Sequence, residues 1–221
     1  MAKPGRRSRP SSDGPARSVP TRRALVAAAI DVLKSDGFGG ASARAIADRA
    51  DCNQALIFYH FGTVVDLLLA ALDEVSALRQ VRYGEAVAQV DSPAELVDAA
   101  ADIFREDLDA GYVAVLVEMI AGASSTPGLG PKVAERIEPW KLFAANAIAD
   151  AFAQGAVPSV VTAKEAAHAI VALYLGLEML AHLDGDREPA IALFERAKSI
   201  AGLLALGGAS AARQLRREER P

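Results

Sequence analysis

From residue 19 to residue 206 the apolar side chains recur at spacings of three and four, and no run alternates as a strand would. That pattern fixes the fold class before any motif is considered. Residues three and four apart share one face of a helix, whereas a strand sends successive side chains to opposite faces. Composition agrees: the chain is 52% hydrophobic but 5% aromatic, with alanine and leucine dominant, and both lose little side-chain freedom in a helix. The expected fold is all-α, with about nine helices.

Punctuation divides the pattern. Residues 1–18 ("MAKPGRRSRPSSDGPARS") are rich in Pro, Gly, Ser and Arg with almost no large apolar residue, and read as a flexible basic arm; 207–221, ending "RQLRREERP", reads as a flexible tail. A first helix is expected from Val19 or Pro20 to Asp36, stopped by Gly37. Ser42 caps a second, to Arg49, and Asn53 a third, to His60. Thr63 with Asp66 opens a long fourth helix reaching towards Val90, and Ser92 with Pro93 restarts the chain. Gly111, "SSTPGLGP" and "GAVPS" separate further helices, and "DGDRE" parts the last two, 163–183 and 189–206. A three-helix head (19–65) is thus expected before a larger helical body (66–206).

Charge is divided the same way. Residues 1–62 hold ten Lys/Arg against five Asp, a balance of +5, so a chain of net charge −4 carries −9 beyond them. The positive field is concentrated where it could meet phosphates. The single cysteine, Cys52, excludes an internal disulfide and fits a reducing cytoplasm. Arg22 and Arg23 before "ALVAAAI" resemble a signal peptide, but Asp31, Lys34 and Asp36 interrupt the run at helical spacing. The apolar stretch Ala166–Leu183 contains His168, Glu178 and His182, so a buried helix is expected there instead of a membrane span.

Within the head, "ASARAIADRADCNQALIFYHF" (41–61) reads as two short helices about a tight turn. Ala45, Ile46 and Ala50 supply small or apolar crossing positions. Ile57 and Phe61, four apart, point inward, which turns Ala55 and Tyr59 outward. A helix-turn-helix with such an outward face suits a DNA groove. Gln54 stands where base-reading residues stand and can pair bidentately with adenine. Tyr59 and His60 are short donors for phosphate oxygens, the helix start at Thr63 adds backbone N–H groups, and Ser42, Arg44 and Asn53 lie within reach of the same surface.

Residues 20–69 resemble the DNA-binding head of the TetR family of bacterial transcriptional regulators, through "DGFGGAS", "AIADRA" and "ALIFYHF" followed at once by a long helix. The resemblance implies a homodimer whose two heads read a palindromic DNA operator, and a variable helical body that houses a small-molecule effector site and the dimer face. Repression relieved by a small, largely apolar effector is the expected activity. Two positions depart from the family's pattern: Asp51 replaces the usual turn glycine, and Val64 stands where a lysine is common. The alternative is a helical small-molecule-binding or scaffolding protein whose head no longer reads DNA.

In the body, Phe104, Met119, Trp140, Phe143, Asn146 and Tyr174 are candidate ligand-binding residues, with Glu118 and His168 as further polar candidates. Ordinary core packing explains any one of them equally well. His168, Val171, Leu175, Met179 and His182 recur along one face of one late helix. Ile191, Phe194 and Lys198 do so on the next, matching a dimerisation pair. An enzyme is not expected. His168 and His182 stand about 21 Å apart along a helix, and no zinc spacing, phosphate loop or nucleophile elbow is present. No metal or cofactor is expected.

Overall fold

The computed structural model describes residues 15–88, 90, 92–153 and 162–200. The arm as far as residue 14, the "GAVPS" segment and the stretch beyond 200 lie outside the described residues. Eight helices follow one another: α1 (Pro15–Gly40), α2 (Ala43–Arg49), α3 (Ala55–Phe61), α4 (Val64–Val87), α5 (Pro93–Ala110), α6 (Tyr112–Ala123), α7 (Leu129–Ala153) and α8 (Ala163–Asp184). A ninth, α9, covers 188–200. No strand occurs among the described residues, and the all-α expectation holds.

The caps show why the elements begin where they do. Ser42, Thr63 and Ser92 each accept a backbone N–H three residues on, and Thr162 with Glu165 forms a complete capping box. Several boundaries differ from the sequence reading. The first helix begins at Pro15, inside the expected arm, and continues through the Gly37 break to Gly40, and α4 ends at Val87. The third helix starts at Ala55, whose N–H is held by Asn53 Oδ1 at 2.8 Å, so Asn53 caps from one residue further out.

A single core runs from the head into the body. Leu25, Val32 and Leu33 of α1 meet Ile46, Ile57, Leu67 and Leu68, and the same cluster continues through Val115, Met119, Leu129 and Val133. The boundary between residues 65 and 66 therefore falls inside a continuous α4, not in a linker.

Head and body also meet at a joint. Gly37 breaks the α1 geometry with φ 70 and ψ −178, a conformation that favours glycine. The Phe38 N–H beyond the break donates to Glu118 Oε2 of α6 at 2.7 Å. The Phe38 ring lies flat on Gly122, where an added Cβ would meet it at 2.4 Å. Lys34 Nζ donates to the Ala110 carbonyl at 2.8 Å and covers the Tyr112 ring. Glu118, a candidate polar pocket residue from sequence, is thus committed to holding the end of α1.

Candidate nucleic-acid interface and interior cavity

The two short helices of the head are tied from behind. Ile46, Ala47 and Ile57 are buried, with Ala45, Ala50, Cys52 and Phe61 packed against them. The turn is held by the Cys52 N–H to the Ala47 carbonyl at 3.0 Å. Asp51 supplies the left-handed residue there, with φ 49; aspartate tolerates this conformation better than most residues. Arg22 of α1 lies 4.9 Å over the Phe61 ring and keeps a positive charge beside the end of α3.

What this leaves outside is the row Ala55, Phe58, Tyr59 and Gly62, preceded by Asn53 and Gln54, all exposed. Tyr59 is 79% exposed and stacks edge-on against the half-buried His60, ring centroids 4.9 Å apart. Ser42 and Arg44 are exposed at the start of α2, Arg44 lying 3.7 Å from Asp48. Thr63 caps α4 with Asp66, as the sequence reading expects. Its Oγ1 accepts the Asp66 N–H at 3.0 Å and its hydroxyl donates to the Asp66 carboxylate at 2.7 Å. That hydroxyl bond, with Lys132 assisting, holds the Asp66 carboxyl below the usual carboxylate range. The sequence reading missed Phe58, 51% exposed beside Tyr59. Its position three residues after Ala55 was the available signal.

The body holds a partly open cavity of about 340 Å³ between α4, α5, α6, α7, α8 and α9. Tyr83, Trp140, Phe143 and Tyr174 form its aromatic wall, with Arg79 at one end. Tyr83 sits edge-on to both Trp140 and Phe143, at 5.2 and 6.1 Å. Phe104 stands behind this wall, fully buried, 5.5 Å from Tyr174 and 5.1 Å from Phe194. Met119 and Asn146 do not line it. Met119 is buried in the core shared with the head, and Asn146 is exposed on the outer side of α7.

At the Arg79 end lies a polar cluster with no counterpart in the sequence reading. Asp107 Oδ2 accepts from Arg79 Nε and Nη2, at 2.9 and 2.5 Å, and from the hydroxyls of Tyr83 and Tyr174, both at 2.9 Å. Arg79 also lies over Trp140, 5.1 Å from the ring centroid. Glu178, 0% exposed, brings one oxygen to 3.9 Å from Arg79 Nη2, and neither carboxylate oxygen has a hydrogen-bond partner. Burial pushes its carboxyl up to about 8, against the pull of Arg79. Burial likewise raises the Tyr83 and Tyr174 hydroxyls far above their ordinary range. Positions 79, 107 and 178 are too far apart in sequence for any local pattern to join them.

The outer side of α8 corrects two expectations. The helix is not buried: it is long and apolar enough to cross a membrane by length and composition, and only 11% of its most apolar window is covered. Nor do all eight expected dimer residues face outward. Val171, Leu175 and Phe194 line the cavity, and Lys198 is paired with Asp98 at 2.7 Å; Ile191 is half-buried, while His168, Met179 and His182 are exposed. The inward row is Ala167, Val171, Tyr174, Glu178 and Ala181, which puts Leu180 and Leu183 opposite it. Leu180 is 56% and Leu183 71% exposed. The sequence-read row straddles the edge between these two faces.

A family model described as bacterial regulatory proteins, tetR family, matches residues 25–71. A member of the TetR family from Streptomyces coelicolor superposes with a TM-score of 0.62 at 27% identity, over 80% of this chain and 97% of that one. The chain belongs to the TetR family. An HTH-type transcriptional repressor of Mycobacterium tuberculosis is 37% identical to this TetR-family chain over 101 residues, 43% of this chain and 50% of the relative. The chain therefore spans about half the length of the curated relatives it matches. A transcriptional regulator of Saccharomonospora viridis, solved in complex with choline, shares the fold with a TM-score of 0.65 at 20% identity, over 82% of this chain and 94% of that one.

Proposed function

We propose that this TetR-family chain is a cytoplasmic, dimeric transcriptional regulator that represses from a palindromic operator and is released by a small, largely apolar effector in the body cavity. The observation that carries the DNA part is the division of α3: Ile57 is sealed in the core while Phe58 and Tyr59 stand exposed beside Gln54. Placed in a major groove, Gln54 reads a base edge, Phe58 offers an apolar face to a thymine methyl, and Tyr59 with His60 binds the phosphate rail. Two heads about 34–36 Å apart engage successive grooves on one side of the duplex.

Induction needs a path from cavity to head, and α6 offers one. Leu116 lines the cavity, and Glu118, two residues on, holds the Phe38 N–H at the end of α1. An effector that favours one placement of α6 by a few kcal/mol is enough to shift the spacing of the heads. The choline-bound relative of the same fold is consistent with a small-molecule site in such a body.

The test is binding of the full chain to the DNA upstream of its own gene, followed by fluorescence anisotropy. Tyr59→Ala lowers affinity about 10-fold on all sites, as loss of a phosphate contact does, whereas Gln54→Ala costs about 1–3 kcal/mol at one base position and relaxes specificity there. Failure to bind any fragment at low salt overturns the regulator reading and leaves a helical ligand-binding protein.

The second expected result concerns assembly. Leu180→Asp places a charge in the uncovered row of α8, and a dimer joined there dissociates. Sedimentation velocity at micromolar concentration then gives a monomer, and operator affinity falls by 10-fold or more because the second head no longer binds in concert. An unchanged dimer moves the interface elsewhere.

A further inference from the structure

Resting on the reading of the body cavity as the effector site, we propose that the effector is a lipophilic amine, an apolar or aromatic body bearing one protonated nitrogen, whose ammonium group is received by Glu178. The argument is a count of partners at the polar end of the cavity. There are two carboxylates and one guanidinium. Asp107 is well partnered, since one oxygen alone takes Arg79 Nε, Arg79 Nη2 and two tyrosine hydroxyls. Glu178 is the opposite case: fully buried, with neither oxygen in a hydrogen bond of good geometry, beside a Tyr174 hydroxyl that is already given to Asp107, and with its closest cation 3.9 Å away and engaged. Buried polar groups are almost always bonded, so two empty acceptors on one carboxyl call for a donor that the chain itself does not supply.

The surroundings select among donors. Arg79, Tyr174 and Leu177 line the cavity, and Glu178 lies one turn beyond Tyr174 on the same inward face of α8, directly behind that wall. Glu178 does not itself line the cavity in this structure; to meet the ligand its side chain must turn between Tyr174 and Leu177. An anionic head finds the sole guanidinium already spent on Asp107. A hydroxyl brings one donor and no charge. An ammonium group carries three donors and a positive charge that lets Glu178 release the proton burial holds on it, and the rings of Tyr83, Trp140 and Tyr174 are the walls on which a cation rests well.

A matched set of probes tests this by titration calorimetry on the full chain: 4-phenylbutylamine, 4-phenylbutanol and 4-phenylbutyrate. The amine binds at least 10-fold more tightly than the other two, and Glu178→Gln removes that advantage while changing the alcohol's affinity less than twofold. Titrations in buffers of different ionisation enthalpy supply a readout that a merely structural role would not move. The groups facing Glu178 are Arg79 and Tyr83 of α4, Asp107 of α5 and Tyr174 of α8. With its carboxyl pushed up to about 8, the amine displaces about one proton at pH 7 from the wild type and none from the Gln variant. Equal affinities, a preference for the carboxylate, or indifference to Glu178→Gln overturns the proposal. Ala144→Trp, which fills the cavity, separates the two levels. If it abolishes binding of all three probes but no amine preference exists, the amine inference alone fails. If binding survives it, or if none of the probes binds, the cavity reading fails as well.

Discussion

Asp107→Ala lowers the folding stability by about 3–5 kcal/mol, the usual cost of leaving a buried charge without its partner. Asp107 and Arg79 are both buried, and Asp107 Oδ2 takes two bonds from the guanidinium and one from each tyrosine hydroxyl. Removal of the carboxylate strands all four donors, from three residues, at once. Glu178 is the one acid left nearby, at 3.9 Å, and it does not restore the hydrogen bonds. Asp107→Asn keeps the shape and an acceptor oxygen but not the charge, and falls between. Arg79→Met in the Asp107→Ala background recovers part of the loss, because removing both charged partners costs less than removing one. Urea unfolding at fixed protein concentration, followed by circular dichroism, measures these differences. The single variant melts roughly 10 °C lower. A loss below 1 kcal/mol would mean that water reaches Arg79.

The contrast between this cluster and the head explains what could be read in advance. Ser42, Thr63 and Ser92 each lie next to the backbone they cap, so a few consecutive residues specify the helix starts. Gly37 and Asp51 likewise carry their conformations within themselves. The all-α class and the family followed from such local signals. Cavity and cluster are another matter, since Arg79, Asp107 and Glu178 come from three helices brought together only by packing. Aromatic identity did not separate Trp140, which lines the cavity, from Phe104 behind it, and Met119 and Asn146 had no periodic reason to be excluded. On α8 the difficulty is angular. One residue turns the helix by 100°, so choosing His182 instead of Leu183 as the marker moves the assigned face by more than a quarter turn. A helix apolar on several sides does not announce which side meets its own subunit.

Glu178 gives the second large effect, in the pH dependence of stability. Its carboxyl sits at about 8 in the folded chain against an ordinary 4.5, raised first by burial. Between those two values the folded chain holds a proton that the unfolded chain has released. Stability therefore falls as pH rises through this window, by about 1.4 kcal/mol per unit for a single group. The full loss is about 3–5 kcal/mol, complete above pH 8 and absent below about pH 4. Glu178→Gln removes the titration while keeping size and polarity. The variant and the wild type then have equal stability at pH 4, and the variant is the more stable by that margin at pH 9. Thermal melts from pH 4 to 9 separate the two curves. Parallel curves would place the Glu178 proton outside the folding equilibrium and show the carboxyl to be ionised and solvated at neutral pH. A buried acid that costs stability in the resting chain is what a site waiting for a cationic partner requires, and saturating amine flattens the wild-type curve above pH 7 by supplying the charge that burial denies it.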